Sequence, residues 1–370
     1  MKIAIFHDYI GTIGGADKLI LTLARELKAD VITTDVDVNA VSMMGFEDVN
    51  IISLGKTIKI APLKQISASL RFMLCDFSKK YDFFIFSNNW AHLAARKHKP
   101  NLLYCQSTPV RVFYDLYDFY MKQQSFFSSL LFRLWVVPHR KLYEYYMDHV
   151  DVIIANSISI QERVKKYLNR TSKVVYPPVD ISRFRFEEYG DFWLSVNRLY
   201  PEKRIELQIE AFRQLPNEKL LIVGGYAEAD RSSTYARELI KMFPKNVLLL
   251  GTVPDDELIL LYSRCKAFII TSIDEPFGMA PVEAMASGKP VVGVREGGCL
   301  ETVVDGSTGL LVKPEVPEIV NAINIISREP SKYKEKCMEQ ARKFNVDIFF
   351  DKMKKEIDEA FLKMQRRQDI

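Results

Sequence analysis

The sequence predicts an α/β protein made of two doubly wound, Rossmann-like parallel-sheet domains facing each other across a cleft. Three observations predict it. β-rich runs alternate with helical patterns from the first residues onward, as in a parallel sheet covered by helices. The alternation breaks once, at Tyr176-Pro177-Pro178-Val179-Asp180, where two prolines favour an extended connection, and then it restarts. At 370 residues, the length suits two domains better than one.

In the first half, strand patterns fall at 2–9, 31–34, 50–54, 82–87, 101–106, 150–156 and 173–176. The clearest helices between them span 16–28 and 158–168, and Asp17 or the glycines before it can cap the first of these. After the prolines the pattern runs strand 192–198, helix 205–215, strand 219–224, strand 246–250 and helix 256–265. The stretch KAFIITSIDEPFGMAPVEAMASGKPVVGV at 266–294 then reads strand, acidic loop, short helix and strand, with Pro281 opening the helix and Gly288 closing it. A charged helix over 346–367 ends the chain. Its apolar positions, Ile348, Phe349, Met353, Ile357, Phe361 and Leu362, form one stripe that must pack on something. No repeat of 20–50 residues is visible, so the two halves share a pattern and not a sequence.

With 48% hydrophobic and 26% charged residues, the chain has ample material for a core. A net charge of +4 is too small to imply a nucleic-acid partner. Cys75, Cys105, Cys265, Cys299 and Cys337 are odd in number, scattered and without metal-like spacing, so they read as core thiols of a reducing compartment. The chain enters a strand directly, without a signal-peptide core, and no apolar run approaches the roughly 20 residues of a spanning helix. A cytoplasmic protein that can touch the cytoplasmic face of a membrane is expected.

In open α/β sheets ligands sit beyond the carboxyl ends of the strands, and the candidate residues cluster there. Gly11-Thr12-Ile13-Gly14-Gly15 follows the first strand and precedes a helix, where a phosphate can approach backbone closely. It lacks the GxGxxG dinucleotide fingerprint, and taken alone a glycine turn between strand and helix is more often just a turn. Arg198 and, five residues on, Lys203 combine a forked guanidinium with a point charge, a pair able to neutralise a diphosphate leaving group or simply to form an exposed basic loop. Gly224-Gly225 ends another strand as a ligand approach or a turn. From the first half, Gln106-Ser107-Thr108-Pro109-Val110-Arg111 brings polar groups toward the cleft. Glu275 and Glu283, with seven residues between them, frame the turn at 266–294, with Glu283 in the first helical turn. The two carboxylates can accept from sugar hydroxyls on either side of an anion at the helix N-terminus, or they can merely favour the helix dipole. No nucleophile–base set and no metal spacing stands out among the dispersed histidines His7, His92, His98, His139 and His149; a structural role is expected for His7.

With Arg198, Lys203, Glu275 and Glu283 in place, the chain resembles retaining nucleotide-sugar glycosyltransferases of the GT-B fold, family 4 (group 1), over essentially its whole length. EPFGMAPVEAMASGKPVV is similar to that family's E-x7-E element. GTIGGADK, VVYPPVDISRF, VNRLYPEKR and VREGGCLETVVDGSTGLL support it, and YCQSTPVRVFYDLYDFY with PVEAMASG is similar to a subgroup that includes mannosyltransferases acting on lipid-linked or polysaccharide glycans. The resemblance implies an acceptor-binding domain over 1–176, a donor-binding domain over 177–345, and a terminal helix, 346–367, that packs back on the first domain. It implies that Arg198 and Lys203 bind the donor diphosphate, that Glu283 holds ribose hydroxyls and that Glu275 holds the transferred sugar. Phe277, Gly278 and Met279 would present backbone to sugar and phosphate, with Gly14 and Gly15 closing over the phosphates. It implies no cofactor and no metal. Related sequences often carry histidine where this one has Gln106, which can hydrogen-bond a hydroxyl but carries no proton near neutral pH. The departure bears on sugar preference or on full activity.

The implied donor is GDP-mannose or a UDP-sugar, with the base chosen by backbone around 251–254, and the acceptor is a glycan or lipid-linked glycan. Residues 113–146 hold 12 aromatics and no acid between Asp118 and Glu144. A basic, aromatic, amphipathic segment over 120–146 can lie on an anionic membrane, or it can be a buried helix with a few solvated bases. Other sugar chemistry on the same fold, such as a phosphorylase or nucleotide-sugar epimerase, and a catalytically silent sugar-nucleotide-binding protein are the alternatives.

Overall fold

The computed structural model describes residues 1–11, 14–60, 62–107, 110–122, 124–226 and 232–368. The chain forms two compact units, Met1–Tyr176 with Phe349–Ile370, and Pro177–Ile348.

The first unit contains β1 (Ile3–His7), β2 (Asp30–Thr33), β3 (Ile51–Ser53), β4 (Phe83–Ser87), β5 (Asn101–Cys105), β6 (Val152–Ala155) and β7 (Lys173–Val174). They form one parallel sheet in the order β3-β2-β1-β4-β5-β6-β7. Every residue of β1, β4 and β5 is buried, which is why these strands read as continuous apolar runs without alternation. One face packs Phe6, Phe84, Phe86 and Leu103 against Tyr143 and Met147 of the helix Phe126–Met147. The other packs Ile5, Ile85 and Tyr104 against the helix Gly15–Leu27 and against Phe349, Met353, Ile357 and Ala360 of the last helix, Val346–Gln368. The apolar stripe of that helix is thus narrower than its sequence implied, because Ile348 and Leu362 stay exposed.

The second unit contains β8 (Phe192–Val196), β9 (Lys219–Val223), β10 (Val247–Gly251), β11 (Ala267–Ile270), β12 (Val291–Val294) and β13 (Gly309–Val312). Its parallel sheet has the order β10-β9-β8-β11-β12-β13. Both sheets therefore reverse their winding direction beside their first strand, between β1 and β4 in one unit and between β8 and β11 in the other. At such a switch point the connections leave in opposite directions and open a crevice at the strands' carboxyl ends.

Several elements escaped the sequence reading. They include β13, only four residues long, and the helices Leu63–Leu74, Val316–Arg328 and Lys334–Arg342. The strand expected over 192–198 ends at Val196, which leaves Arg198 in the loop beyond it.

Candidate functional site

Eight of the predicted site residues lie in the second unit, and the chain's local geometry draws them to the β8/β11 switch point. Arg198 is exposed two residues past β8. The turn Pro201–Lys203 follows, and Arg204 then takes a left-handed conformation (φ 48°) before the helix Ile205–Arg213 begins. This turn is fastened to the end of β11. Thr271 Oγ1 lies 2.9 Å from the Lys203 carbonyl and 3.0 Å from that of Arg204, and it accepts from Gln208 Nε2 at 2.9 Å. The amide of Ile273 donates to the Glu202 carbonyl at 2.8 Å.

Fastening the two loops brings Lys203 Nζ to 2.6 Å from Glu275 Oε2, with 21% and 17% of the two side chains exposed. A half-buried pair of this kind stays reachable, so a ligand carrying phosphate and hydroxyl groups can engage Lys203 and Glu275 together. Arg204 Nη1 pairs with Glu296 at 3.0 Å, and the Asp274 amide donates to Glu296 Oε2 at 3.4 Å. Behind this, the amide of Gly298 donates to the Glu275 carbonyl at 2.6 Å. A Cβ on Gly297 or Gly298 would run into the backbone of Asp274–Glu275 or of Phe277, so the loop bearing Glu275 can sit there only over glycines.

Gly224 serves the same end on the other side of β8. Its φ is +128°, and a Cβ there would collide with the Asn197 carbonyl, the residue next to Arg198. Phe277 is buried with its ring edge-on to Phe344 at 5.2 Å. Gly278 (φ 86°) is the N-cap of the helix Met279–Ala286, and Met279 is half-buried at its first position. Because this helix starts at Met279 and not at Pro281, Glu283 is its fifth residue and lies beyond the first turn. The dipole explanation for that acid is correspondingly weaker. Glu283 Oε2 instead accepts from Tyr262 Oη at 2.8 Å, and burial together with the Glu283 carboxylate raises the Tyr262 phenol well above its usual range. Burial, with Glu275 nearby, likewise pushes the Cys299 thiol up to about 12.

Gly14, Gly15 and Gln106 belong to the first unit. Gly14 is the N-cap of the helix Gly15–Leu27, one of the glycines the sequence offered for that place. Asp17 turns back to β1, 3.2 Å from His7 Nε2 and 3.3 Å from the Gly11 amide. Gln106 Nε2 donates to Ser87 Oγ at 2.8 Å, and its carbonyl accepts from Asn156 Nδ2 at 2.7 Å. Thr108 and Pro109 lie outside the described residues, and Arg111 pairs with Asp115 at 2.8 Å. Among the described residues, no group of three His, Cys, Asp or Glu side chains could hold a metal ion.

Arg204, Glu296, Gly297, Gly298 and Tyr262 were not read as site residues from sequence. The adjacent glycines of REGG after a buried strand were the available signal for the loop that braces Glu275.

Residues 180–344 match the family described as glycosyl transferases group 1. The α-1,3/1,6-mannosyltransferase ALG2 of Dictyostelium discoideum is 26% identical, over 89% of this chain and 90% of its own. Human ALG2 is 30% identical over 64% of this chain and 61% of its own. Among solved structures, sucrose-phosphate synthase from Thermosynechococcus elongatus superposes with a TM-score of 0.78 at 17% identity, covering 98% of this chain and 100% of that one. Anabaena HepE in complex with UDP and glucose gives 0.77 at 20% identity, covering 97% and 99%. The two units have the GT-B fold.

Proposed function

We propose that this chain, a glycosyltransferase whose residues 180–344 are a group 1 domain, transfers mannose from a nucleotide-diphosphate sugar to a glycan or lipid-linked glycan and retains the anomeric configuration. The observation that carries the reading is the meeting of Lys203 and Glu275 at the β8/β11 switch point, with Arg198 exposed on the adjoining loop. Mannose is favoured because the ALG2 relatives are named mannosyltransferases and match about nine-tenths of the chain. GDP-mannose is the preferred donor and a UDP-sugar the second choice.

In this reading Arg198 and Lys203 neutralise the donor diphosphate, Glu275 accepts from hydroxyls of the transferred sugar, and Glu283, oriented by Tyr262, accepts from the ribose. Phe277, Gly278, Met279 and Gly224 offer backbone to the sugar and phosphates, and Gly14, Gly15 and Gln106 serve from the acceptor-binding unit. The acceptor oxygen attacks the anomeric carbon from the face the leaving group departs. The bond from that carbon to the diphosphate oxygen breaks with its electron pair going to the diphosphate. The departing oxygen takes the acceptor's proton, and the two cations stabilise the charge that develops.

Work at a cytoplasmic membrane face is part of the proposal. Among the described residues no helix is long and apolar enough to cross a membrane. The helix Phe126–Met147 nevertheless exposes Phe126 (80%), Phe127 (78%), Leu130, Leu131 and Leu134 beside Arg133 and Arg140. That face suits shallow insertion among anionic headgroups.

The test is turnover of GDP-mannose with a lipid-linked glycan, with the product linkage read by NMR. An α product from the α donor, lost in Arg198→Ala, is expected, and unchanged turnover in that variant overturns the assignment.

A further inference from the structure

Beside the Lys203–Glu275 pair lies a second ion pair that none of the proposed donor contacts uses. Arg204 Nη1 stands 3.1 and 3.0 Å from the two carboxylate oxygens of Glu296, with the side chains 24% and 25% exposed. Glu296 follows the end of β12, and its Oε2 also accepts from the Asp274 amide at 3.4 Å. The members of this pair adjoin those of the other. Arg204 is the residue after Lys203, and Asp274 is the residue before Glu275.

Nothing local favours an arginine at position 204. Its backbone is left-handed (φ 48°, ψ 43°), a conformation unfavourable to any residue with a Cβ. It is the N-cap of the helix Ile205–Arg213, yet its side chain makes no cap bond, where Ser, Asp, Asn or Gly would be preferred. Its cation also sits at the positive end of the helix dipole. Glycine would meet all of these local demands. On the facing loop Asp274 is left-handed as well (φ 41°), and Glu296 holds its amide. Local conflict of this kind persists only where a distant contact fixes it, and Glu296 supplies that contact.

The Lys203–Glu275 bond joins the two loops, and it is given up when Lys203 turns to a phosphate and Glu275 to a hydroxyl. We propose that Arg204 and Glu296 are positioning residues, a clamp that keeps these loops in register while Lys203 and Glu275 engage the donor. The inference rests on the reading of this switch point as the donor site. Arg198 still meets the diphosphate in the ground state when the clamp is lost. The loss therefore falls on the charge that develops at departure, where alignment of the Lys203 ammonium counts most.

Arg204→Gly separates this role from a purely structural one, because glycine relieves the left-handed backbone while it removes the pair. Its melting temperature stays at or above the wild-type value. Its kcat falls about tenfold or more, and its donor KM stays within about twofold. Arg204→Lys returns kcat to within about threefold of wild type, since a single nitrogen can meet both carboxylate oxygens as Nη1 does. Unchanged kcat in Arg204→Gly overturns the assignment. So does a loss that comes with a lowered melting temperature, or one that Arg204→Lys leaves in place. A second arm needs no turnover. The Ile273 amide, which donates across the two loops to the Glu202 carbonyl, exchanges its hydrogen about tenfold faster in Arg204→Gly than in the wild type. Equal exchange overturns the clamp. A wild-type enzyme that transfers no sugar sinks the functional reading and leaves the exchange arm to judge the pair.

Discussion

The two units wind their sheets in the same order around the same switch point, yet the chemistry at the two switch points is opposite. Past β8 and β11 the chain places Arg198 in the open and a half-buried Lys203–Glu275 pair beside it. Past β1 and β4 it buries its acids and spends them on the fold. Asp8 accepts from the amides of Asn89, Trp90 and Ala91 at 2.8, 2.7 and 2.9 Å, Asp17 holds His7, and Gln106 is joined to Ser87. Topology supplies a crevice in both units. Which residues follow the strands decides whether that crevice presents fixed charge or hydrogen-bonding groups. The first arrangement suits a diphosphate and the second a neutral, hydroxyl-rich molecule.

Removing the open charge probes the contrast hardest. Arg198→Ala should lower kcat/KM by about a hundredfold or more, roughly 3 kcal/mol of transition-state stabilisation, with the melting temperature unchanged because the side chain is exposed. A matching loss from Gln106→Ala would erase the distinction between the two switch points.

A test of comparable size addresses the brace behind Glu275. Gly298→Ala drives a methyl into the Phe277 backbone and should destabilise the second unit by on the order of 3 kcal/mol, measured by urea unfolding. Wild-type stability would mean that the loop has room the structure denies it.

The buried acid of the first unit provides a pH test. Burial lifts Asp8 from 3.8 to about 6, against the opposing pull of His7 and the three amides. Because the folded value lies above the unfolded one, the contribution of Asp8 to stability is complete below pH 3.8 and is lost as pH rises through about 6. Its carboxyl carbon, followed by NMR, should titrate near 6, and a midpoint at or below 4 would show an acid solvated like a surface one.

The smallest effect is expected at Tyr262→Phe, which keeps the ring against Phe268 and Phe184 but removes the hydrogen bond to Glu283. The donor KM should rise by about tenfold, the worth of one hydrogen bond to a charged acceptor. An unchanged KM would detach Glu283 from the donor.

Much of this contrast was legible in the sequence because strand ends are marked by what breaks a strand. Glycine, proline and charge after apolar runs located Arg198, Lys203, Glu275 and Gly224 at the correct edges. The helix start was misread because Pro281 looks like a first-turn residue, whereas the positive φ of Gly278 starts the helix two residues earlier. The support from Arg204, Glu296 and Tyr262 was hidden for a different reason. Each partner is distant in sequence, 92 residues for Arg204 and Glu296, and only the sheet order brings them together. Asp8 was invisible because burial, unlike charge, is not written in a residue's identity.

In the proposed function the β8/β11 switch point binds a nucleotide-diphosphate sugar through Arg198 and Lys203. Its most direct test is a thermal-shift panel of GDP-, UDP-, ADP- and dTDP-sugars on the wild-type protein and on the Arg198→Ala, Lys203→Ala double variant. One base should raise the wild-type melting temperature by roughly 5 °C at about a hundredfold excess over its Kd and should leave the double variant unmoved. A panel in which no nucleotide sugar stabilises the wild type, or in which the double variant is stabilised equally, would contradict it.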